Sequence, residues 1–426
     1  MRYLIPFFLA IGLSACSPLN SGDRSSGQVL PAAILDTYVA IANAAYEDSL
    51  ITARQLEQSV DTFLASPSAL TMQQARNAWL AARVPYQQTE AFRFGNRVVD
   101  EWEGRVNSWP LDEGLIDYTA ASYGEESDFN YFYSANVIAN EIIDLGGITV
   151  DAAMITPQLL AENLHLIDGV EANVATGYHA IEFLLWGQDL NGTSPGAGNR
   201  QWTDYSLQNC SNGNCDRRRD YLKAATVLLV NDLEEMVGNW QPGGAAYMDL
   251  MGKGEQAGLA TILTGMGSLA YGELAGERIR LGLLLNDPEE EHDCFSDNTH
   301  HSHYYDALGI KNVYLGEYRR VSGELVSGAS LADLISQQAP AISAEMMARL
   351  EETESAMQRM VDEGESGNTF DVLIGRDNAQ GEEIITRIVD ALMEETRTIE
   401  KVINELALVN VSIEGSESLD NPSAVL

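Results

Sequence analysis

The stretch Gly177-Tyr178-His179-Ala180-Ile181-Glu182-Phe183-Leu184-Leu185-Trp186-Gly187 carries two side chains suited to holding a metal or a proton, His179 and Glu182. Their i, i+3 spacing puts both on one face of a helix, one above the other. The neighbours are apolar, and burying an imidazole or a carboxylate among them costs on the order of several kcal/mol unless something pairs with it. Two readings follow. The pair is structural and satisfied by hydrogen bonds, or it is half of a metal site. A single His-x-x-Glu match arises readily by chance, so the rest of the chain has to decide.

A second donor-rich region is Glu289-Glu290-Glu291-His292-Asp293-Cys294-Phe295-Ser296-Asp297-Asn298-Thr299-His300-His301-Ser302-His303, which holds four of the six histidines. The run from His300 to His303 also suits a solvated polar loop. Glu90 is a third contributor. It follows Pro85 and lies between aromatics, although a surface Glu90 paired with Arg93 fits the same residues. Imidazoles with carboxylates suit iron, zinc or manganese, and the scarcity of thiols argues against a soft thiolate site. There is no phosphate loop and no dinucleotide fingerprint before a strand. The His-Glu-x-x-His pattern of zinc peptidases is absent, which weakens a metallopeptidase reading.

The elements that must position these groups read as helices. Apolar residues recur at helical spacing from Pro31 to about Leu64. Ser68 caps a further helix over about 69–102, kinked at Pro85. Residues 104–155 read as loops with short helices. Thr156-Pro157 opens a helix to about Ala172, and the His179 helix ends at Gly187. Asp189 to Cys215 is a long polar loop, and such loops inside compact domains are often functional. Helices resume over about 217–239, 247–285, 341–363 and 381–408. Gly265, Gly267, Gly272 and Gly276 weaken the second of these but permit close approach of a neighbour. Period-two stretches are scarce, so the class is all-α, built as helical bundles.

Length and composition bound the rest. The 426 residues, 45% hydrophobic, are ample for two or three packed cores. The net charge of −38, from 63 acidic and 25 basic residues, excludes nucleic acid as a partner. It suits a strongly solvated protein that gathers cations near its surface. Arg2 and the short apolar run Tyr3–Leu13 read as a signal peptide over 1–15, too short to span a membrane. Leu13-Ser14-Ala15-Cys16 looks like a lipobox, with cleavage before Cys16 and lipid on its thiol. Residues 16–30 then form a flexible tether, and the lipid is the expected membrane anchor. Of the remaining cysteines, Cys210 and Cys215 flank a short polar loop, and a disulfide between them is the economical pairing. Cys294 is then left over, either as a replacement partner or as a thiol. The tail 413–426 is polar and is expected to be disordered.

With Arg83-Val84-Pro85-Tyr86-Gln87-Gln88-Thr89-Glu90-Ala91-Phe92-Arg93-Phe94-Gly95, the Gly177–Gly187 stretch, Leu274-Ala275-Gly276-Glu277-Arg278 and Phe295-Ser296-Asp297-Asn298-Thr299-His300 in this order, the chain resembles the imelysin family. Within it, the similarity is to the iron-regulated protein A branch of bacterial lipoproteins. The resemblance implies two related four-helix-bundle-like halves, 31–240 and 241–412, with a site near their interface. It also implies a role in iron acquisition at the periplasmic face of the outer membrane in a Gram-negative bacterium, alongside outer-membrane transport proteins. The family was named for a peptidase activity, which is the alternative, as is a metal-free module for a peptide or haem. His179 and Glu182 are the motif residues. Iron, or zinc or another divalent cation in its place, needs more donors than one helical turn supplies. Glu90, Asp297, His300 and His301 are the candidates. We therefore expect Glu90, Glu182, His179 and at least one of Asp297, His300 and His301 to converge within roughly 4–8 Å.

Overall fold

The computed structural model describes residues 28–124 and 127–425. The signal peptide, Cys16 and nearly all of the tether lie outside them. The fold is all-α, with helices packed as bundles and two small hairpins as its strands among the described residues. No helix among the described residues is long and apolar enough to cross a membrane.

The first bundle forms around Pro31–Ala65, whose Ile34, Tyr38, Ile41, Ala45, Leu56, Val60 and Phe63 are all buried. Proline at its first position leaves no orphan amide there. Ser68 starts the next helix, Ala69–Gln87, with a reciprocal cap on Thr71. These two helices pack together, and Pro31–Ala65 also packs on Cys215–Trp240. The second bundle pairs Pro340–Glu365 with Ala379–Glu405 and with Thr299–Leu315. Between the bundles, Ala69–Gln87 lies on Thr299–Leu315, and Pro31–Ala65 lies on Glu255–Ser268. Thus the donor-rich segment preceding Thr299 is carried against the first bundle.

Several local expectations change. The span 69–102 is not one kinked helix. It stops at Gln87, two residues past Pro85, makes a short turn over Glu90–Phe92, and restarts as Arg97–Asn107. Proline removes an amide from the ladder, and the Thr89 hydroxyl then bonds the Tyr86 carbonyl at 2.6 Å, which stabilises the turn. Thr156 caps its helix as expected, through the Leu159 amide. That helix is short, however, because Leu166 and Asp168 adopt left-handed backbone. The expected 247–285 helix is divided into Ala245–Gly252, Glu255–Ser268, a widened π-type stretch Leu269–Arg280, and Leu281–Leu285. Two antiparallel hairpins, Ile142–Leu145 with Ile148–Asp151 and Glu317–Arg319 with Leu325–Ser327, were not anticipated.

The tail is the clearest correction. The described residues 413–425 are packed rather than disordered. Ile413 lies over Gly267, and a Cβ on Gly276 would stand 2.2 Å from the Ser416 Cβ. Ser418 donates to the Gly276 carbonyl at 2.9 Å, and Tyr271 to Asp420 at 2.7 Å. The glycines do permit a close approach, and part of what approaches is this strip, held by serine hydroxyls and by Ile413 and Leu419 against the core.

Candidate metal centre

The Gly177–Trp186 helix is buried along all 10 of its residues. It packs among Ala69–Gln87, Arg97–Asn107 and Cys215–Trp240. Its entry needs glycine: Gly177 has φ +78°, and a Cβ there would meet the Val106 carbonyl at 2.3 Å. This places His179 and Glu182 at 1% and 0% exposure.

His179 Nδ1 lies 3.0 Å from Glu182 Oε2. The other carboxylate oxygen accepts from the Ser296 amide at 2.9 Å and its hydroxyl at 2.7 Å. Asp293 Oδ1 is 4.0 Å from His179 Nδ1 and 3.6 Å from His292 Nδ1. The two imidazole rings meet edge to face, 4.8 Å apart. His179, His292 and Asp293 each offer a ligand atom within 4.8 Å of the others, and all three are buried. His179 Nε2 is buried with no hydrogen-bond partner, and a lone imidazole nitrogen of this kind is what a metal would satisfy. Behind His292 stands His303, 6.0 Å away ring to ring, with neither nitrogen hydrogen-bonded.

Charge is balanced by one buried guanidinium. Arg83 donates to Asp293 Oδ1 at 2.6 Å and to Oδ2 at 3.3 Å, and reaches His292 Nδ1 at 3.4 Å. Burial alone would raise Asp293, but Arg83, aided by the Asn298 amide, outweighs it and holds this carboxyl below its usual range. Burial, aided by Arg83, pushes His179 down to about 3. Burial and the guanidinium of Arg278 likewise lower His292. Both imidazoles are therefore neutral at physiological pH, the form that binds metal. Burial and then Asp293 raise Glu182 well above the ordinary carboxylate value, against the opposing pull of Ser296 and Arg83.

Of the residues singled out from sequence, the structure brings together His179 and Glu182. The expected wider convergence does not occur. Glu90 is buried, as its aromatic setting suggested, but it is paired with Arg278 at 2.8 Å. Arg278 projects from the π-type stretch and also holds Asp306 at 3.0 Å. Asp297 faces Glu291 and Asp371 in a separate group. His300 and His301 sit with Glu365 in a third, where His301 Nε2 is 2.9 Å from Glu365. The reason is local. Asp297 takes left-handed backbone, which turns the chain, and the Thr299–Leu315 helix then begins and carries His300 and His301 towards Glu365. Cys210 and Cys215 are joined as a disulfide with Cα atoms 5.9 Å apart, and Cys294 is a free thiol.

His292 and Asp293 belong to the donor-rich segment but, like Ser296 and Arg83, stand outside the expected ligand set. Arg83 carried a signal: an arginine between apolar helical positions needs a buried carboxylate, and Asp293 stood in the donor-rich segment.

The comparisons agree with this architecture. A structure from Parabacteroides distasonis described as an iron-regulated protein A precursor superposes with TM-score 0.62 at 18% identity, covering 90% of this chain and 97% of that one. An imelysin-like protein from Psychrobacter arcticum superposes with TM-score 0.57 at 15% identity, covering 90% and 98%. At such identities the likeness is one of fold. The iron-regulated protein A of Synechococcus elongatus is 32% identical over 95 residues. That match spans 22% of this chain and about a quarter of the relative's length. The sequence model of the imelysin family matches residues 42–399, which contain every group described above, and the chain belongs to the imelysin family.

Proposed function

We propose that this chain is an iron-binding protein that holds the metal at His179, His292 and Asp293, with Glu182 as a fourth donor. The observation that carries the reading is the buried convergence of three ligand atoms within 4.8 Å from two segments far apart in sequence. Two imidazoles and carboxylate oxygen form a set suited to ferrous iron or zinc. The name of the Synechococcus relative, iron-regulated protein A, favours iron. The whole set is buried away from solvent, which favours retention of a metal over hydrolysis of a peptide.

In this reading the lipid on Cys16 tethers the protein to the periplasmic face of the outer membrane, where it works with outer-membrane transport proteins. Equilibrium dialysis against ferrous iron and against zinc, with His292→Ala as control, tests the metal site. One equivalent bound by the native chain, with at least a hundredfold loss in the variant, supports it. Equal binding by both removes it. Fatty-acid labelling that disappears in Cys16→Ser tests the anchor.

A further inference from the structure

Beyond the imidazole centre, a second group of buried ligands has a different chemistry. Glu291, Asp297 and Asp371 each place a carboxylate oxygen within 4.8 Å of the others. They are 1%, 8% and 0% exposed. Glu291 Oε1, Asp297 Oδ1 and both oxygens of Asp371 are buried without a hydrogen-bond donor. The hydroxyl of Thr369, itself 7% exposed, lies beside Asp371 and is likewise unpartnered. Its dipole and the Val372 amide ease the charge on Asp371, yet neither meets a carboxylate oxygen at hydrogen-bonding geometry.

Several other buried carboxylates have a guanidinium at ion-pairing distance. Asp293 is neutralised by Arg83, Glu90 and Asp306 by Arg278, and Asp117 by Arg200 and Arg218. Among the described residues, no Lys, Arg or His lies within ion-pairing distance of Glu291, Asp297 or Asp371. Three carboxylates in this proximity repel one another, and burial magnifies the repulsion. A cation among the three would play the part that Arg83, Arg278, Arg200 and Arg218 play for Asp293, Glu90, Asp306 and Asp117.

We propose that Glu291, Asp297 and Asp371, with the Thr369 hydroxyl, form a second and separate site for a hard divalent cation, calcium. Every donor is oxygen, which suits calcium or magnesium rather than the metals that favour imidazole. The donors are buried, so the ion must shed most of its water. Calcium does so readily and accepts irregular carboxylate cages, whereas magnesium dehydrates reluctantly and keeps several waters. The site also has a structural consequence. Glu291 precedes His292 and Asp293, and Asp297 follows Ser296, so a bound cation clamps both ends of the segment that supplies the imidazole centre.

The test uses the full chain, freed of cations with a chelator. Titration calorimetry with calcium chloride should give one site per chain, and the melting temperature should rise by several degrees over a sodium chloride control of equal ionic strength. Magnesium should bind at least tenfold more weakly. Asp371→Asn should weaken calcium binding at least a hundredfold. Without calcium it should melt no lower than the native chain, because it removes one of three repelling charges. Asp297→Asn provides the same test should the first variant fold poorly. His179→Ala should keep the calcium response, which separates this site from the imidazole centre. No heat and no shift at millimolar calcium, native affinity in both asparagine variants, or magnesium binding as tight as calcium would each overturn the proposal.

Discussion

Glu182 accepts two hydrogen bonds from Ser296, from its amide at 2.9 Å and its hydroxyl at 2.7 Å. This contact joins the buried helix of the first bundle to the segment that enters the second. It orients the carboxylate so that its other oxygen faces His179. The same segment delivers His292 and Asp293. The helix therefore supplies part of the candidate metal centre, and the Ser296 contact ties it to the segment that supplies the rest.

Proton release should accompany metal binding. Burial and Asp293 hold Glu182 well above the ordinary carboxylate value. Glu182 therefore keeps its proton in the metal-free protein as pH rises past the ordinary value of 4.5, and a ligating carboxylate must give that proton up. Affinity should rise with pH across this window, by up to about tenfold per unit. His179, at about 3, adds no slope there. Calorimetry in buffers of different ionisation enthalpy reads the released proton. Glu182→Gln should abolish the release, and an unchanged count would remove Glu182 from the set.

Arg83 should be a stability residue for the metal-free state. Its bidentate contact with Asp293 is fully buried. Arg83→Met leaves that carboxylate without a cation, and losing one partner of a buried pair costs about 3–5 kcal/mol. Denaturant unfolding should register this loss, and saturating metal should recover part of it by taking over the charge of Asp293. A variant as stable as the native chain would contradict the assignment.

A pH effect is expected far from the centre. Glu395 on the Ala379–Glu405 helix is buried with Thr353 as its hydrogen-bond donor at 2.5 Å, and burial pushes it up to about 7. Its folded-state value lies above the unfolded one. The stability it lends is complete below the unfolded value of 4.5 and is lost as pH rises through about 7. Glu395→Gln should therefore gain on the order of 1–3 kcal/mol relative to the native chain at pH 8, and little at pH 4. Melting curves at the two pH values decide, and an equal change at both would contradict it.

The tail gives a further expectation. The backbone of Glu414 and Gly415 lies against Gly272, and Ser416 and Ser418 lie against Gly276. Deleting residues 413–426 exposes that groove and should cost on the order of 2 kcal/mol. No change in the melting temperature would mean that the tail is merely laid on the surface.

The helical periodicity of Pro31–Ala65 and the capped start at Ser68 were legible because both are local. His179 and Glu182 were legible for the same reason, since one helical turn sets their relation. The partners of His179 were not, because His292 and Asp293 lie far along the chain and meet it only through tertiary packing, which no periodicity announces. Of the two readings of Glu90, the structure has it buried yet within 3.8 Å of Arg93, and whether a buried carboxylate meets a metal or an arginine depends on the distant Arg278. The tail was misread because polarity stood in for disorder, whereas serine hydroxyls can bind a glycine-lined groove directly.

The most direct measurement is anaerobic titration of ferrous iron into the native chain, His179→Ala, and the double variant His300→Ala/His301→Ala. One tight site is expected in the native chain, at least a hundredfold weaker binding in His179→Ala, and native affinity in the double variant. Native affinity in His179→Ala, with loss in the double variant instead, would contradict this and move the metal to the group around Glu365.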